Sequence, residues 1–406
     1  MVDIASYDKL YIGGQWVEPS SSNTFEVHSP VTGELLGSVP EALEADMDAA
    51  VAAARDAFDN GPWPTMPAAE RADAMQRLLD LVYANADELA QLITAEVGCP
   101  ILFSHFGQVG AAAMVLDYFT NLTRTYEFES VRPGMLGPVL VRKEGVGVCA
   151  GIIPWNVPVF IMMLKLAPAL ASGSTIILKP APETPLSGMF LAKLVDEAGF
   201  PPGVVNFVPA GREAGEHLVT APGVDKVSFT GSTAAGKKIG ALCGERLRRC
   251  TLELGGKSAA IILDDANLDE VVPALLPYGI MNNGQACVAQ TRILAPRSRY
   301  DEVVDKFTEA MAALKVGDPA EMDTDIGPLI AERQRDRVES YIAKGISEGA
   351  RVTTGGGRPD GLAGWYVEPT LFADVDNSMT IAQEEIFGPV LAVIPFDDEA
   401  DAVKIA

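Results

Sequence analysis

The sequence predicts an α/β protein made of two α/β domains in series, meeting near Gly255-Gly256. Three observations lead there. From residue 145 onward, short apolar runs alternate with segments of helical length and periodicity. Strands separated by helices of that length form βαβ units around a parallel sheet. The alternation restarts after Gly256, which marks a second unit. At 406 residues the chain is long enough for two or three domains with cores of their own.

Taken in order, the N-terminal residues read as short strands and turns. YIGGQWV and the TGELLGSV run, with Pro and Ser between them, suggest hairpins. From Leu43 to Glu96 the pattern becomes helical and rich in Ala, Leu and Glu. Residues 126–150 return to β character. GVGVCAGII is then a strand, Val159–Ala171 a helix, TIILK a strand, and a helix opened by proline runs to Ala198. VVNFVPA follows as a strand, a short helix begins after Gly211, KVSFT is a strand, and a helix spans Ser232–Arg248. In the second series SAAIIL and TRILA are strands, with helices starting at Asn267 and Arg299. In such folds ligands lie at the C-terminal ends of strands and in the cleft between domains.

Composition narrows the function classes. Net charge is −24, spread along the chain, and such a surface repels phosphate backbones, so nucleic acid is not an expected partner. The most apolar stretch, Val157–Leu178, is broken by Lys165, Pro168 and a Ser-Gly-Ser-Thr turn, which argues against a membrane span. The N-terminal MVDIASYDKLYIGGQW has no basic or apolar leader pattern, so no signal peptide is expected. Five scattered cysteines (Cys99, Cys149, Cys243, Cys250, Cys287) and three isolated histidines give neither a disulfide framework nor a metal spacing, which fits a reducing cytoplasm and no metal site.

Five motifs can carry chemistry. Asn283-Gly-Gln-Ala-Cys287 places a thiol after a glycine that permits a tight backbone path. An isolated cysteine is more often inert core than nucleophile, and no histidine is near in sequence to support a Cys-His protease. Leu252-Glu-Leu-Gly-Gly-Lys-Ser258 puts Glu253 at a strand end between apolar residues. It reads either as an exposed strand-end carboxylate or as a general base whose pKa apolar surroundings raise. Phe229-Thr-Gly-Ser232, continuing to Gly236, ends a strand and opens a helix, as a plain N-cap or as a pyrophosphate cradle. Ile153-Pro-Trp-Asn156 presents an amide that serves a turn or donates to an oxyanion. Lys179-Pro-Ala-Pro-Glu-Thr-Pro185 sets a lysine at a strand end, solvated or paired with cofactor hydroxyls.

Singly these signals are weak, but their joint order is specific. With IPWN, KPA, FTGS, LELGGK, GQAC and EEIFGP in sequence, and with GDP at 317–319 and EPTLF at 368–372, the chain resembles the aldehyde dehydrogenase superfamily over essentially its whole length. Glu253 and Cys287 lie 34 residues apart, matching the family's base and nucleophile. The resemblance implies a Rossmann-like NAD(P)-binding domain over 1–124 and 146–255, an oligomerisation arm over 125–145, and a catalytic domain over 256–406. It implies Cys287 as nucleophile, Asn156 with the Cys287 N–H as oxyanion hole, and Glu253 as the base that activates water. Cofactor contacts would come from Ile153, Pro154, Trp155, Lys179, Gly211, Gly215, Phe229, Thr230, Gly231, Ser232, Gly236 and Leu254, with Glu385 and Phe387 at the nicotinamide end. Lys165 is similar to a lysine implicated in proton relay. The expected activity is oxidation of a small-molecule aldehyde to an acid with NAD, NADP being the other option, in a homodimer or homotetramer.

Two departures qualify the resemblance. Pro182 stands where the family often has an acidic residue that binds ribose hydroxyls and disfavours a 2′-phosphate, and Glu183 is not expected to take its place. The family also continues past the point matching Ala406 with a C-terminal strand, so a product ending there is expected to lack part of the substrate tunnel, to expose strand edges and to be poorly soluble or poorly active. The rival functions are a CoA-acylating relative, against which Glu253 argues, and a non-catalytic member of the fold.

Overall fold

A computed structural model describes residues 6–406; Met1–Ala5, which begin the stretch read for a leader peptide, lie outside the described residues. The chain forms two compact units. The first comprises residues up to Val27, Leu36–Leu92 and His105–Leu254; the second comprises His28–Leu35, Ile93–Ser104 and Gly255–Ala406.

The first unit is built on a seven-stranded sheet in the order Arg249–Glu253, Lys226–Thr230, Val148–Ile152, Thr175–Lys179, Val205–Phe207, Leu10–Ile12, Gln15–Val17. The first five strands run parallel. Val148–Ile152 and Thr175–Lys179 are buried at every position, as expected of central parallel strands covered on both faces. Met47, Ala50 and Ala54 of the helix Glu44–Asp59 pack with Leu218 of Arg212–Thr220 and Cys243 of Thr233–Glu245 against Val148, Ala150 and Val227. Helix Pro158–Ser172 opens with proline in its first turn and ends on left-handed Gly173, a start and stop legible in sequence. The YIGGQWV hairpin forms, but it joins the sheet edge through an antiparallel pairing of Tyr11 with Phe207, which makes the sheet mixed. The long helical stretch after Leu43 is three helices, Glu44–Asp59, Ala68–Ala84 and Ala86–Val97.

The strands Glu129–Gly134 and Gly137–Arg142 form a separate two-stranded ribbon. Val131, Met135, Leu136, Val139 and Leu140 on it are exposed.

The second unit holds a five-stranded sheet in the order Ala259–Ile261, Arg292–Pro296, Val390–Phe396, Thr370–Ala373, Arg351–Thr354, parallel except for the last pair. Alternating strand residues feed two cores. Ile293, Leu391 and Val393 pack with Val272, Phe307 and Met311 from helices Leu268–Ile280 and Tyr300–Ala312, while Leu294, Ala392 and Ile394 pack with Val338 and Ile342 from Glu332–Ser347. Each large side chain buried this way contributes about 2–3 kcal/mol of transfer free energy.

The expected boundary shifts in one respect. His28–Leu35 and Ile93–Ser104 belong to the second unit, although the sequence reading places them in the first. Long-range hydrogen bonds explain the difference: Trp365 N–H donates to Pro30 O, Ile101 N–H to Pro319 O, and the Asn283 amide to Gly98 O.

Candidate active site

In the first unit, sheet register aligns four of the sequence motifs. Lys179 pairs with Ile152, Ile152 with Phe229, and Thr230 with Glu253, so the C-terminal ends of four parallel strands stand in one row. The strand order reverses between Val148–Ile152 and Lys226–Thr230, since successive strands leave the pair in opposite directions. Such a switch point opens a crevice beyond the strand ends. Ile153 and Asn156 follow one of these strands and are buried, with Pro154 and Trp155 half-buried between them; Gly231 and Ser232 follow the other.

The Ser232 turn is held by local geometry. Ser232 caps the helix Thr233–Glu245, its Oγ accepting from Ala235 N–H at 3.3 Å. Gly231 N–H donates to Glu253 O at 3.0 Å. A Cβ on Gly236 would run into the Leu254 side chain, and one on Gly231 would lie 2.6 Å from the Phe229 ring. Ser232, Thr233 and Ala234 are exposed, so the positive end of the helix faces outward.

Two lysines lie buried beside this row. Lys179 Nζ donates to Ala210 O at 2.7 Å and Pro180 O at 3.1 Å, which leaves a third N–H for a ligand. Burial pushes its pKa down to about 8, against the opposing pull of the Glu183 carboxylate. A Cβ on Gly215 would lie 3.2 Å from Lys179 Cδ, so that glycine makes room for the lysine stem, while Gly211 caps the helix Arg212–Thr220. Lys165 Nζ donates to Thr230 Oγ1 at 2.8 Å and Ser228 Oγ at 3.1 Å. Its pKa is also pushed down to about 8 by burial, raised in part by Glu253 and lowered further by Lys226. Glu253 itself is exposed at the end of an edge strand. The apolar enclosure expected of it is not present in the unit that carries it.

In the second unit, Cys287 lies in the turn between the helix Leu268–Ile280 and the strand Arg292–Pro296. It is half-buried, whereas Cys99, Cys149 and Cys243 are buried and the Cys149 thiol is pushed up to about 11 by desolvation. Ahead of Cys287, Asn282, Asn283 and Gly284 are all left-handed, with φ of 54°, 60° and 75°. Gly284 passes against the backbone of Gly388, and a Cβ there would also come within 2.6 Å of Pro389 N.

A model of the aldehyde dehydrogenase family matches residues 16–406. The chain belongs to that family. It is 46% identical to geranial dehydrogenase of Castellaniella defragrans, covering 98% of this chain and 84% of that protein. An aldehyde dehydrogenase of Mycobacterium tuberculosis, solved as a complex with NAD+, is 52% identical with a TM-score of 0.97, covering 98% of this chain and 83% of that one. A cysteine-to-alanine mutant of aldehyde dehydrogenase C from Pseudomonas syringae, solved with NAD+ and octanal, is 40% identical with a TM-score of 0.96, covering all of this chain and 83% of that one. Among the described residues no helix is long and apolar enough to cross a membrane.

Other residues of this aldehyde dehydrogenase become visible only in the structure. The EEIFGP loop is clasped by the helix Glu332–Ser347: Arg337 Nη2 donates to Glu385 O and Gln334 Nε2 to Phe387 O, both at 2.7 Å. Phe387 is left-handed at φ 65°. Burial raises the Glu385 pKa, opposed by the Gly256 N–H, Arg337 and Lys257. A Cβ on Gly255 would collide with the Glu385 carboxylate, which gives the first glycine of LELGGK a reason to be glycine. Lys257 is pushed down to about 7 by burial and by Arg292, with Glu385 opposing. Gln334 and Arg337 carry no signal of their own in a single sequence, because each donates to a backbone carbonyl distant along the chain.

Proposed function

We propose that this aldehyde dehydrogenase oxidises an uncharged, apolar aldehyde to a carboxylic acid with NAD, using Cys287 as nucleophile, Asn156 and the Cys287 N–H as oxyanion donors, and Glu253 as general base. The observation that carries the reading is the row of strand ends at the switch point of the first sheet, where Lys179, Ile152, Phe229 and Leu252 are in register and the paired Thr230 and Glu253 lie one residue beyond. That row fits a dinucleotide: an outward-facing helix N-terminus follows Ser232 for the pyrophosphate, and Lys179 keeps a donor for a ribose hydroxyl. Gly211, Gly215, Gly236 and Leu254 shape this ledge, Ile153, Pro154, Trp155, Phe229 and Gly231 flank it, and Glu385 with Phe387 serve the nicotinamide end. The cofactor supplies the hydride acceptor.

The chain's own groups do the rest. The Cys287 thiolate adds to the aldehyde carbon and then holds the acyl group as a thioester. Asn156 stabilises the alkoxide in between. Glu253 takes a proton from the water that hydrolyses the thioester. NAD is preferred to NADP because the similar aldehyde dehydrogenases of Mycobacterium tuberculosis and Pseudomonas syringae were solved with NAD+. An apolar substrate follows from buried Ala286 and exposed Val288 beside Cys287, and octanal and geranial, named for two relatives, are of that kind.

The decisive experiment supplies octanal, NAD and H2¹⁸O, with and without CoA. Octanoic acid carrying one ¹⁸O from water, whether or not CoA is present, supports the hydrolytic reading. Acyl-CoA as the sole product overturns it, and a higher kcat/KM with NADP overturns the cofactor assignment. We also assign the units the domain roles given by the family resemblance, a cytoplasmic location, and a homodimer or homotetramer built through the exposed ribbon Glu129–Arg142. Light scattering on a chain with Val131, Val139 and Leu140 changed to serine tests the last point.

A further inference from the structure

Asn283 stands four residues before Cys287 in a backbone that local preferences do not favour. Three consecutive residues, 282–284, are left-handed, and two of them are not glycine. Isolated asparagine visits this region more readily than most residues, but a run of it needs tertiary support. The Asn283 side chain supplies that support. Its Nδ2 donates to Gly98 O at 2.9 Å and to Pro328 O at 2.8 Å, and its Oδ1 accepts from Gly327 N–H at 2.7 Å. Both donors are used, and the side chain is wholly buried. Gln285 secures the turn one step closer to the thiol, its Oε1 accepting from Ile330 N–H at 3.0 Å. Two segments remote in sequence, 98 and 327–330, are thus clamped to the residues just ahead of Cys287.

We propose that Asn283 is a positioning residue for the Cys287 thiol. Its three hydrogen bonds hold the left-handed turn whose far end aims Sγ at the aldehyde carbon. The proposal rests on the reading of Cys287 as nucleophile. Without the carboxamide the turn relaxes toward right-handed φ, and the thiol leaves the geometry that bond formation needs. A misplacement of about 1 Å at a reacting atom costs on the order of a hundredfold in rate.

The test measures the pre-steady-state rate of NADH formation with octanal in the full chain, together with NAD affinity and the folded fraction. Asn283→Ala is expected to slow NADH formation roughly ten- to a hundredfold, leaving the NAD dissociation constant within about twofold. Asn283→Gly separates positioning from stability: it removes the left-handed penalty, so it unfolds later than Asn283→Ala, yet the turn is still unpinned and NADH formation stays slow. Val303→Ala, which hollows the buried core of the same unit, lowers stability while keeping the rate per folded molecule. Asn283 variants with parental rates per folded molecule, or Asn283→Gly regaining the parental rate, would overturn the proposal. Separately, iodoacetamide that modifies Cys287 in the parent without stopping turnover overturns the nucleophile reading, and this proposal with it.

Discussion

The turn at Ser232, proposed to hold the cofactor, and the turn before Cys287, proposed to present the nucleophile, are held in different ways. The first is local. A strand ends, Ser232 caps the next helix through Ala235 N–H, and the obstacles met at Gly231 and Gly236 are side chains, Phe229 two residues away and Leu254 just past the neighbouring strand. The second is long-range. Asn282, Asn283 and Gly284 are left-handed, the amide of Asn283 reaches Gly98, Gly327 and Pro328, and Gly284 is pressed against the backbone of Gly388. A site for a pyrophosphate needs only exposed N–H groups, which any well-capped helix offers. A nucleophile needs one atom aimed, and fixing an atom takes contacts from several directions.

Substitutions at the two turns sharpen that contrast. The largest effect belongs to Cys287→Ala: aldehyde-dependent NADH formation falls by at least roughly 10⁴-fold, as removal of a covalent nucleophile does. Surviving activity, followed by NADH absorbance, would break the assignment. Glu253→Gln comes next. A stoichiometric burst of NADH persists, because acylation does not use this carboxylate, and steady-state turnover then drops by about 10²–10⁴-fold. Rapid-mixing absorbance distinguishes this from a variant that simply lacks the first step.

Two glycine substitutions test the local and long-range turns against each other. Gly284→Ala combines a positive φ with a backbone obstacle, and urea unfolding should show a loss of roughly 3–5 kcal/mol. Gly231→Ala meets only a phenylalanine ring that can turn aside, so about 1–2 kcal/mol is expected. Equal losses would mean that the two turns are held alike.

A further test is a pH dependence. Lys165 has a folded pKa near 8, below its ordinary 10.5, so between those values the unfolded chain binds more protons than the folded one. Its contribution to stability therefore rises as pH increases from about 8 to about 10.5 and is flat below and above that window. Over the window it amounts to at most roughly 3 kcal/mol. Lys165→Met should remove the Lys165 share of that rise in melting experiments, leaving the part owed to Lys179 and Lys257, and a parallel pH profile in both proteins would show that Lys165 does not titrate there.

Sequence alone determined much of this protein. The alternation of strands and helices, the Pro and Gly at helix ends, and the Ser232 cap are encoded within a few residues of where they act, so a linear reading reaches them. The motif order also marked Cys287, Glu253 and Asn156 as candidates. Tertiary structure alone decided the rest. It set Lys179, Ile152, Phe229 and Leu252 in one row through sheet register, left Glu253 exposed where apolar cover was expected, and drew His28–Leu35 and Ile93–Ser104 into the second unit. Asn283 was in plain view as the first letter of a motif, but its work is done on carbonyls 185 and 45 residues away. Hydrogen bonds of that span leave no periodicity in a sequence, because the residue at one end carries no mark of the backbone group that folding brings to it.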